Sequence, residues 1–328
     1  MKKFLKTVGK MLLAVLLLLI LLILFITGLF TVNKVMLARE APLRAPLGQT
    51  VEIDGHNMCV YTEGEGEHIL VFLSGSGTPS PILDFKSLYD LLKDDCRIVV
   101  IEKFGYGSSD VVDSERSFDT MLRQDREALS KLGIEGPFIL CPHSMSGLEA
   151  IQWAQEYPDE VEAIVGLDMA LPAAYEVLDL KGAERLETLS GLAVKLGFLR
   201  IVDIRSMYPA FSTGTLTEGE KDIYMAIARN ITCNKDIILE SRTIPETCRK
   251  INSRPKPDIP TLILVSDGND LDVPGWREIQ HEYADGLSDA TLKEYDCGHY
   301  LHNIEYRDIS DEIKSFINHI DTNKEENK

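Results

Sequence analysis

Five short stretches of this chain, at residues 68–73, 97–101, 138–141, 163–167 and 261–265, are almost wholly apolar, with no alternation of polar side chains. A strand with one solvated face alternates with a period of two, so segments of this kind belong to a sheet covered on both faces. Helical patterns separate them. Ser117 is placed to cap a helix in which Phe118, Met121, Leu122, Leu129 and Leu132 recur at helical spacing, and Gly133 is placed to end it. Further helices are expected over residues 84–92, from the Ser144 segment to about Tyr157, and near 276–283. In the last one, Ile309, Ile313, Phe316, Ile317 and Ile320 form one apolar stripe. A hairpin over 49–53 and 57–61, turning at Asp54-Gly55, precedes the first buried strand, and residues 290–295 supply the last strand. The alternation predicts an α/β fold with a doubly wound, mostly parallel sheet.

Between about Leu171 and Pro257 the rhythm breaks: the pattern turns helical, as at 183–196 and 217–229, and no clear apolar strand occurs. Residues 171–257 therefore read as a helical lid inserted into a core of 48–170 and 258–320. Residues 33–47 read as a linker, and 321–328 as a polar, mobile tail.

Residues 11–32 carry no charge, and most are Leu, Ile, Val or Phe. As a helix rising about 1.5 Å per residue, such a run spans roughly 30 Å, the thickness of bilayer hydrocarbon. It is longer than the apolar part of a signal peptide and no clear A-x-A site follows, so it reads as an uncleaved transmembrane signal anchor, with a cleaved signal peptide as the alternative. Lys2, Lys3, Lys6 and Lys10 precede it within a basic segment, residues 1–10, that has no acid, while Lys34, Arg39 and Arg44 follow it with Glu40 among them. That asymmetry predicts a cytoplasmic N-terminus and a single-pass protein with its main domain outside the cytoplasm.

The net charge is -18, to which the first 32 residues contribute +4, leaving about -22 on the rest. A body this acidic repels polynucleotides and anionic lipid headgroups, so no nucleic-acid partner is expected. The six cysteines are scattered without a C-x-x-C pair, which argues against a zinc site. Outside the cytoplasm Cys233 and Cys248 can close a short disulfide loop; the other reading is that most cysteines are small buried apolar residues.

Ser144 lies in Pro142-His143-Ser144-Met145-Ser146-Gly147, between a buried strand and a helix. A nucleophile elbow belongs there, presenting the hydroxyl on a sharp turn and aiming backbone N–H groups at an incoming carbonyl. Pro142 and Ser146 stand where the usual G-x-S-x-G has glycine.

Taken with its surroundings, this segment resembles the α/β-hydrolase superfamily, especially its lid-bearing esterase, lipase and prolyl-aminopeptidase-like branch, over about residues 49–320. Ser74-Gly75-Ser76-Gly77 is similar to the family's oxyanion loop, with Ser74 where His is commonest, and the resemblance implies an oxyanion hole from the backbone N–H groups of Ser76 and Met145. The segment from Glu102 to Ser109 is similar to the D-x-x-G-x-G-x-S loop, and no phosphate-binding glycine motif is present. Cys297-Gly298-His299 matches the family's Gly-His and makes His299 the base, with His302 as its decoy and His143 as a packing neighbour of the nucleophile. Asp270, four residues before Pro274, takes the role of the acid that orients the imidazole. Asp267 and Asp272 are its rivals, and Asp168, after the preceding strand, is a weaker one.

The resemblance implies a serine hydrolase acting on carboxylic esters, lipid-like ones included, with no cofactor and no metal. A prolyl-aminopeptidase-like enzyme, with lid acids such as Glu176, Glu187 or Glu218 binding a substrate amino group, is the alternative. A non-catalytic binding or scaffold protein of the same fold is the alternative of another class. The expected partners are a small ester or short peptide substrate and, through residues 11–32, the lipid bilayer.

Overall fold

In the computed structural model, which describes residues 1–326, the buried strands lie side by side in a single eight-stranded sheet. The strands are β1 (Gln49–Ile53), β2 (His56–Glu63), β3 (Ile69–Leu73), β4 (Arg97–Glu102), β5 (Phe138–Pro142), β6 (Val161–Leu167), β7 (Thr261–Val265) and β8 (Ala290–Glu294), in the order β1-β2-β4-β3-β5-β6-β7-β8. β2 runs antiparallel to β1 and β4, and the other pairings are parallel. The longer helices are α1 (Lys2–Arg39), α2 (Phe118–Lys131), α3 (Ser146–Glu156), α4 (Leu180–Leu196), α5 (Glu218–Ile231), α6 (Lys235–Asn252), α7 (Trp276–Ala284) and α8 (Tyr306–Glu326).

The absence of alternation has the anticipated cause. Val71, Leu73, Val99, Ile101 and Leu140 pack on one face with α2 and α3, while Leu70, Phe72, Ile98, Val100 and Ile139 pack on the other with residues 82–92 and α8. Both faces of these inner strands are dry, so their central positions select apolar side chains. β3 has β4 on one side and β5 on the other, so the chain winds outward in one direction and then crosses to wind in the other. Connections leave β3 and β5 on opposite sides, and the crevice beyond the carboxyl ends of those strands is where ligands bind in open sheets of this kind.

The insertion contains α4, α5 and α6. Each starts on a side-chain cap, from Asp179, Thr217 and Asn234, and Thr217 with Glu220 completes a capping box.

Four expectations change. Residues 84–92 form two single turns, Pro81–Asp84 and Lys86–Tyr89, not one helix. The linker begins as helix, because α1 runs on to Arg39. The described part of the tail, residues 321–326, is helical, since α8 extends to Glu326; Asp321 reaches His68 Nε2 at 3.1 Å and Lys324 donates to Glu162 at 2.5 Å. All six cysteines are free. Cys248 lies thirteen residues beyond the first residue of α6, with Cys233 just ahead of that helix. The rise of α6 puts the pair about 20 Å apart, far outside disulfide reach.

The most apolar part of α1 has a mean hydropathy of 3.3 and only 6% of it is buried, so α1 is long and apolar enough to cross a membrane. Its C-terminal end packs on the insertion. Asn33 Nδ2 donates to the Val194 and Lys195 carbonyls at 3.3 Å, and Arg200 donates to Asn33 Oδ1 at 2.9 Å and to both Glu40 oxygens at 2.5 and 2.7 Å.

Candidate active site

β5 and β6 end in register. A bridge pairs His143 with Leu167, so Ser144 and Asp168 are the next residues on neighbouring parallel strands. Both have left-handed backbone, with φ of 53° and 50°, which costs a residue with a Cβ about 1–2 kcal/mol. Surrounding bonds hold the turn: the Ser144 carbonyl accepts from Ala170 N–H at 2.7 Å, and Asp168 N–H donates to the Leu264 carbonyl at 2.8 Å. The close approach that the usual second glycine permits occurs one residue later here. A Cβ on Gly147 would lie 2.3 Å from the Ala170 carbonyl oxygen.

His299 Nδ1 lies 2.5 Å from Asp168 Oδ2. Asp168 is fully buried, and its two oxygens also accept from Ser266 N–H and Oγ–H at 2.7 Å and from Trp276 Nε1 at 2.8 Å. Four hydrogen-bond partners around one carboxylate fix its direction. Asp270, the acid anticipated for this position, does something else: both its oxygens lie 3.1 Å from the backbone N–H of His299. It clamps the main chain of the histidine while Asp168 holds the ring. The loop after β7 explains the exchange, since Asp270 comes up against Gly298, where a Cβ would sit 2.6 Å from its Oδ2. Asp267 caps its own turn by accepting the Asn269 N–H, and Asp272 lines a surface cavity of that loop with Pro274.

His143 stacks on His299 with ring centroids 4.6 Å apart, and its Nε2 lies 3.2 Å from the His299 carbonyl oxygen. A carbonyl only accepts, so Nε2 carries the proton. Burial, reinforced by the nearby His299 and His302, holds the His143 pKa well below its ordinary value, and the ring is neutral. His302 belongs to a separate buried pair, with Asp84 Oδ2 2.9 Å from its Nε2.

The Ser74–Gly77 loop follows β3 and runs directly beside the elbow: a Cβ on Gly75 would lie 2.6 Å from Ser144 Cβ. Among the described residues, the N–H groups of Ser76 and Met145 donate no hydrogen bond within the protein. The N-terminus of α3, which starts at Ser146, adds partial positive charge there.

Beneath this loop lies a buried charge cluster that no sequence pattern announced. Ser146 Oγ donates to the Ser74 carbonyl at 2.5 Å, and Lys103 Nζ donates to Ser146 Oγ at 3.1 Å and to Glu149 at 3.0 Å. Burial alone would discharge Lys103, but the Glu149 and Glu240 carboxylates raise its pKa above normal. Burial, then the Glu149 carboxylate, pushes the Asp125 pKa well above the carboxylate range, so Asp125 stays protonated. Glu240, from α6, is fully buried; it accepts from Arg116 at 2.5 Å and from Tyr106 Oη at 2.6 Å, and Tyr106 Oη in turn accepts from Gly77 N–H at 3.4 Å. Ser146 is thus a tie between elbow and loop, where the sequence suggested only a small residue.

Of the anticipated insertion acids, Glu176 is exposed, Glu187 accepts from Ser241, and Glu218 pairs with Lys221 at the exposed start of α5.

A left-handed serine at a strand–helix turn, a histidine held by an acid from the adjacent strand, and the free N–H groups of Ser76 and Met145 define a hydrolase site at the switch point of a doubly wound sheet. The chain belongs to the alpha/beta hydrolase fold family, whose model matches residues 69–305. It is 38% identical over 271 residues to the uncharacterized protein YbdG of Bacillus subtilis, covering 81% of this chain and 83% of that one. It is 26% identical over 298 residues, covering 83% and 87%, to a cis-3-alkyl-4-alkyloxetan-2-one decarboxylase of Shewanella oneidensis. Among solved structures, an epoxide hydrolase of Bacillus megaterium superposes with a TM-score of 0.64 at 15% identity, covering 82% of this chain and 100% of that one, a likeness of fold.

Proposed function

We propose that this protein is a membrane-anchored serine hydrolase that cleaves carboxylic esters through an acyl-enzyme on Ser144. The observation that carries the reading is the 2.5 Å pairing of His299 Nδ1 with Asp168, whose strand ends in register with the strained Ser144. In this reading Asp168, not Asp270, fixes the imidazole tautomer, leaving Nε2 free to take the Ser144 proton. The serine attacks the ester carbonyl, and the N–H groups of Ser76 and Met145 hold the oxyanion, each contributing about 3–4 kcal/mol in rate. His299 then protonates the departing alcohol, and water releases the acyl group by the same route in reverse. The Shewanella relative is named for the decarboxylation of oxetan-2-ones, which are cyclic esters, and this supports an ester-containing substrate.

We read α1 as an anchor that is retained, because Asn33 and Glu40 are built into the contact with the insertion. The lysines ahead of it favour a domain outside the cytoplasm. The peptidase alternative has less support, since Glu187 and Glu218 bond within the insertion and Glu176 is exposed.

A fluorophosphonate probe tests the chemistry on the full chain in detergent. The wild-type protein is expected to label and Ser144→Ala to stay unlabelled. A folded wild-type protein that does not react would sink the enzyme reading, and labelling that survives in the variant would sink the choice of nucleophile.

A further inference from the structure

We propose that the insertion is itself a membrane-binding surface: α4 and the 201–207 segment lie in the headgroup–acyl boundary of the bilayer that α1 enters. The inference rests on the reading of α1 as an anchor and goes beyond it, since an anchored domain can equally stand clear of the surface on a stalk.

The first argument is depth. The uncharged run of α1 ends at Val32, and the insertion touches α1 at that level. Asn33 bonds the last carbonyls of α4, and Gly197, which ends α4, packs so tightly on α1 that a Cβ there would lie 2.7 Å from Asn33 Cβ and 3.0 Å from the Leu29 carbonyl oxygen. Leu29 and Asn33 bracket the last turn of the apolar span. A helix end fixed at that height stands at the lipid–water boundary, with no room for a stalk.

The second argument is the side-chain pattern. Leu186, Leu189, Leu192, Ile201, Val202 and Met207 are each between 54 and 67% exposed, a dense apolar patch for a surface facing water. On α4 the three leucines fall within one sector of about 120°, given 100° per residue. The same stretch departs from the charge of the body. Residues 180–217 hold five cations (Lys181, Arg185, Lys195, Arg200 and Arg205) against three acids (Glu184, Glu187 and Asp203), in a chain whose net charge is -18. Apolar side chains bordered by lysine and arginine are the pattern of elements that lie in the plane of a membrane, about 5–10 Å into the boundary. Continuity with α1 selects the bilayer as the occupant. Seated in this way, the cover of the site rests against the phase in which an acyl ester dissolves.

Tryptophan scanning of the full chain tests the proposal. Trp153 and Trp276 are 0% and 4% exposed and give a constant background. Leu189→Trp, Val202→Trp and, as a control at the opposite edge of the sheet, Glu65→Trp are reconstituted into phosphatidylcholine–phosphatidylglycerol vesicles with plain or brominated acyl chains. For the two insertion variants, bromination is expected to lower the added emission about twofold, as for a ring at the boundary depth, and the control to be unaffected. Flotation of the same samples reports the anchor separately. A chain that floats while its insertion tryptophans resist quenching overturns the proposal and leaves the anchor standing. A chain that fails to float removes both. Emission that shifts with protein concentration and not with bromination replaces the bilayer by a second copy of the chain and also overturns the proposal.

Discussion

Exchanging Asp168 for Asn alters one atom and should abolish turnover, for a reason visible in the carboxylate's partners. Oδ1 receives the Ser266 and Trp276 N–H groups, neither of which can accept, so the amide nitrogen of an asparagine cannot occupy that side. It must take the place of Oδ2, facing Ser266 Oγ, which can turn to accept, and His299 Nδ1. The imidazole can accept from the amide only by moving its proton to Nε2, and that nitrogen then cannot take a proton from Ser144. A wrong tautomer of this kind lowers kcat by about 10⁴-fold, or roughly 5 kcal/mol. Asp270→Asn keeps an oxygen for the His299 N–H, so its loss should stay within about tenfold, since only one neutral hydrogen bond weakens. Steady-state kinetics on a short-chain nitrophenyl ester would measure both. The reverse order, with Asp270→Asn nearly dead and Asp168→Asn active, would refute the assignment of the acid.

Two other substitutions probe the cluster beneath the loop. Ser146→Ala removes the tie to the Ser74 carbonyl and one partner of Lys103; it should cost about 1–3 kcal/mol of stability in denaturant titration and lower kcat with little change in KM. An unchanged kcat would show that the tie does not position the loop. Asp125→Asn should stabilise the protein increasingly as pH rises from about 4 to 7, by at most about 1.4 kcal/mol per pH unit. The sign follows from the raised pKa: the unfolded chain loses this proton above the ordinary carboxylate value while the folded one keeps it, so wild-type stability drains away over that window. A pH-independent difference would mean that Asp125 is ionised in the fold.

The strands and the elbow were legible because each rests on a local pattern, an apolar run closed by a turn. The acid was not. Asp168 and Asp270 both follow apolar strands, and an offset from Pro274 says nothing about which carboxylate meets a ring and which a backbone N–H. That is decided by the pairing of His143 with Leu167, a contact 24 residues apart that no spacing in the chain displays. The charge cluster escaped for a different reason. Lys103, Glu149, Asp125 and Glu240 look like solvated residues in sequence, and only packing from four separate elements makes them a dry network. Lys103, two residues beyond the apolar run 98–101, was the one available hint. The tail beyond residue 320 was misread because polar composition hid the ion pairs that hold α8 to the sheet.

The buried bond from Glu240 to Arg116 bears on how a substrate gets in. Severing a desolvated pair of this type costs about 3–5 kcal/mol, and this one also steadies Tyr106 beneath the Ser74–Gly77 loop. α6 is therefore pinned to the core, and any movement of the insertion that admits a substrate must leave this helix in place.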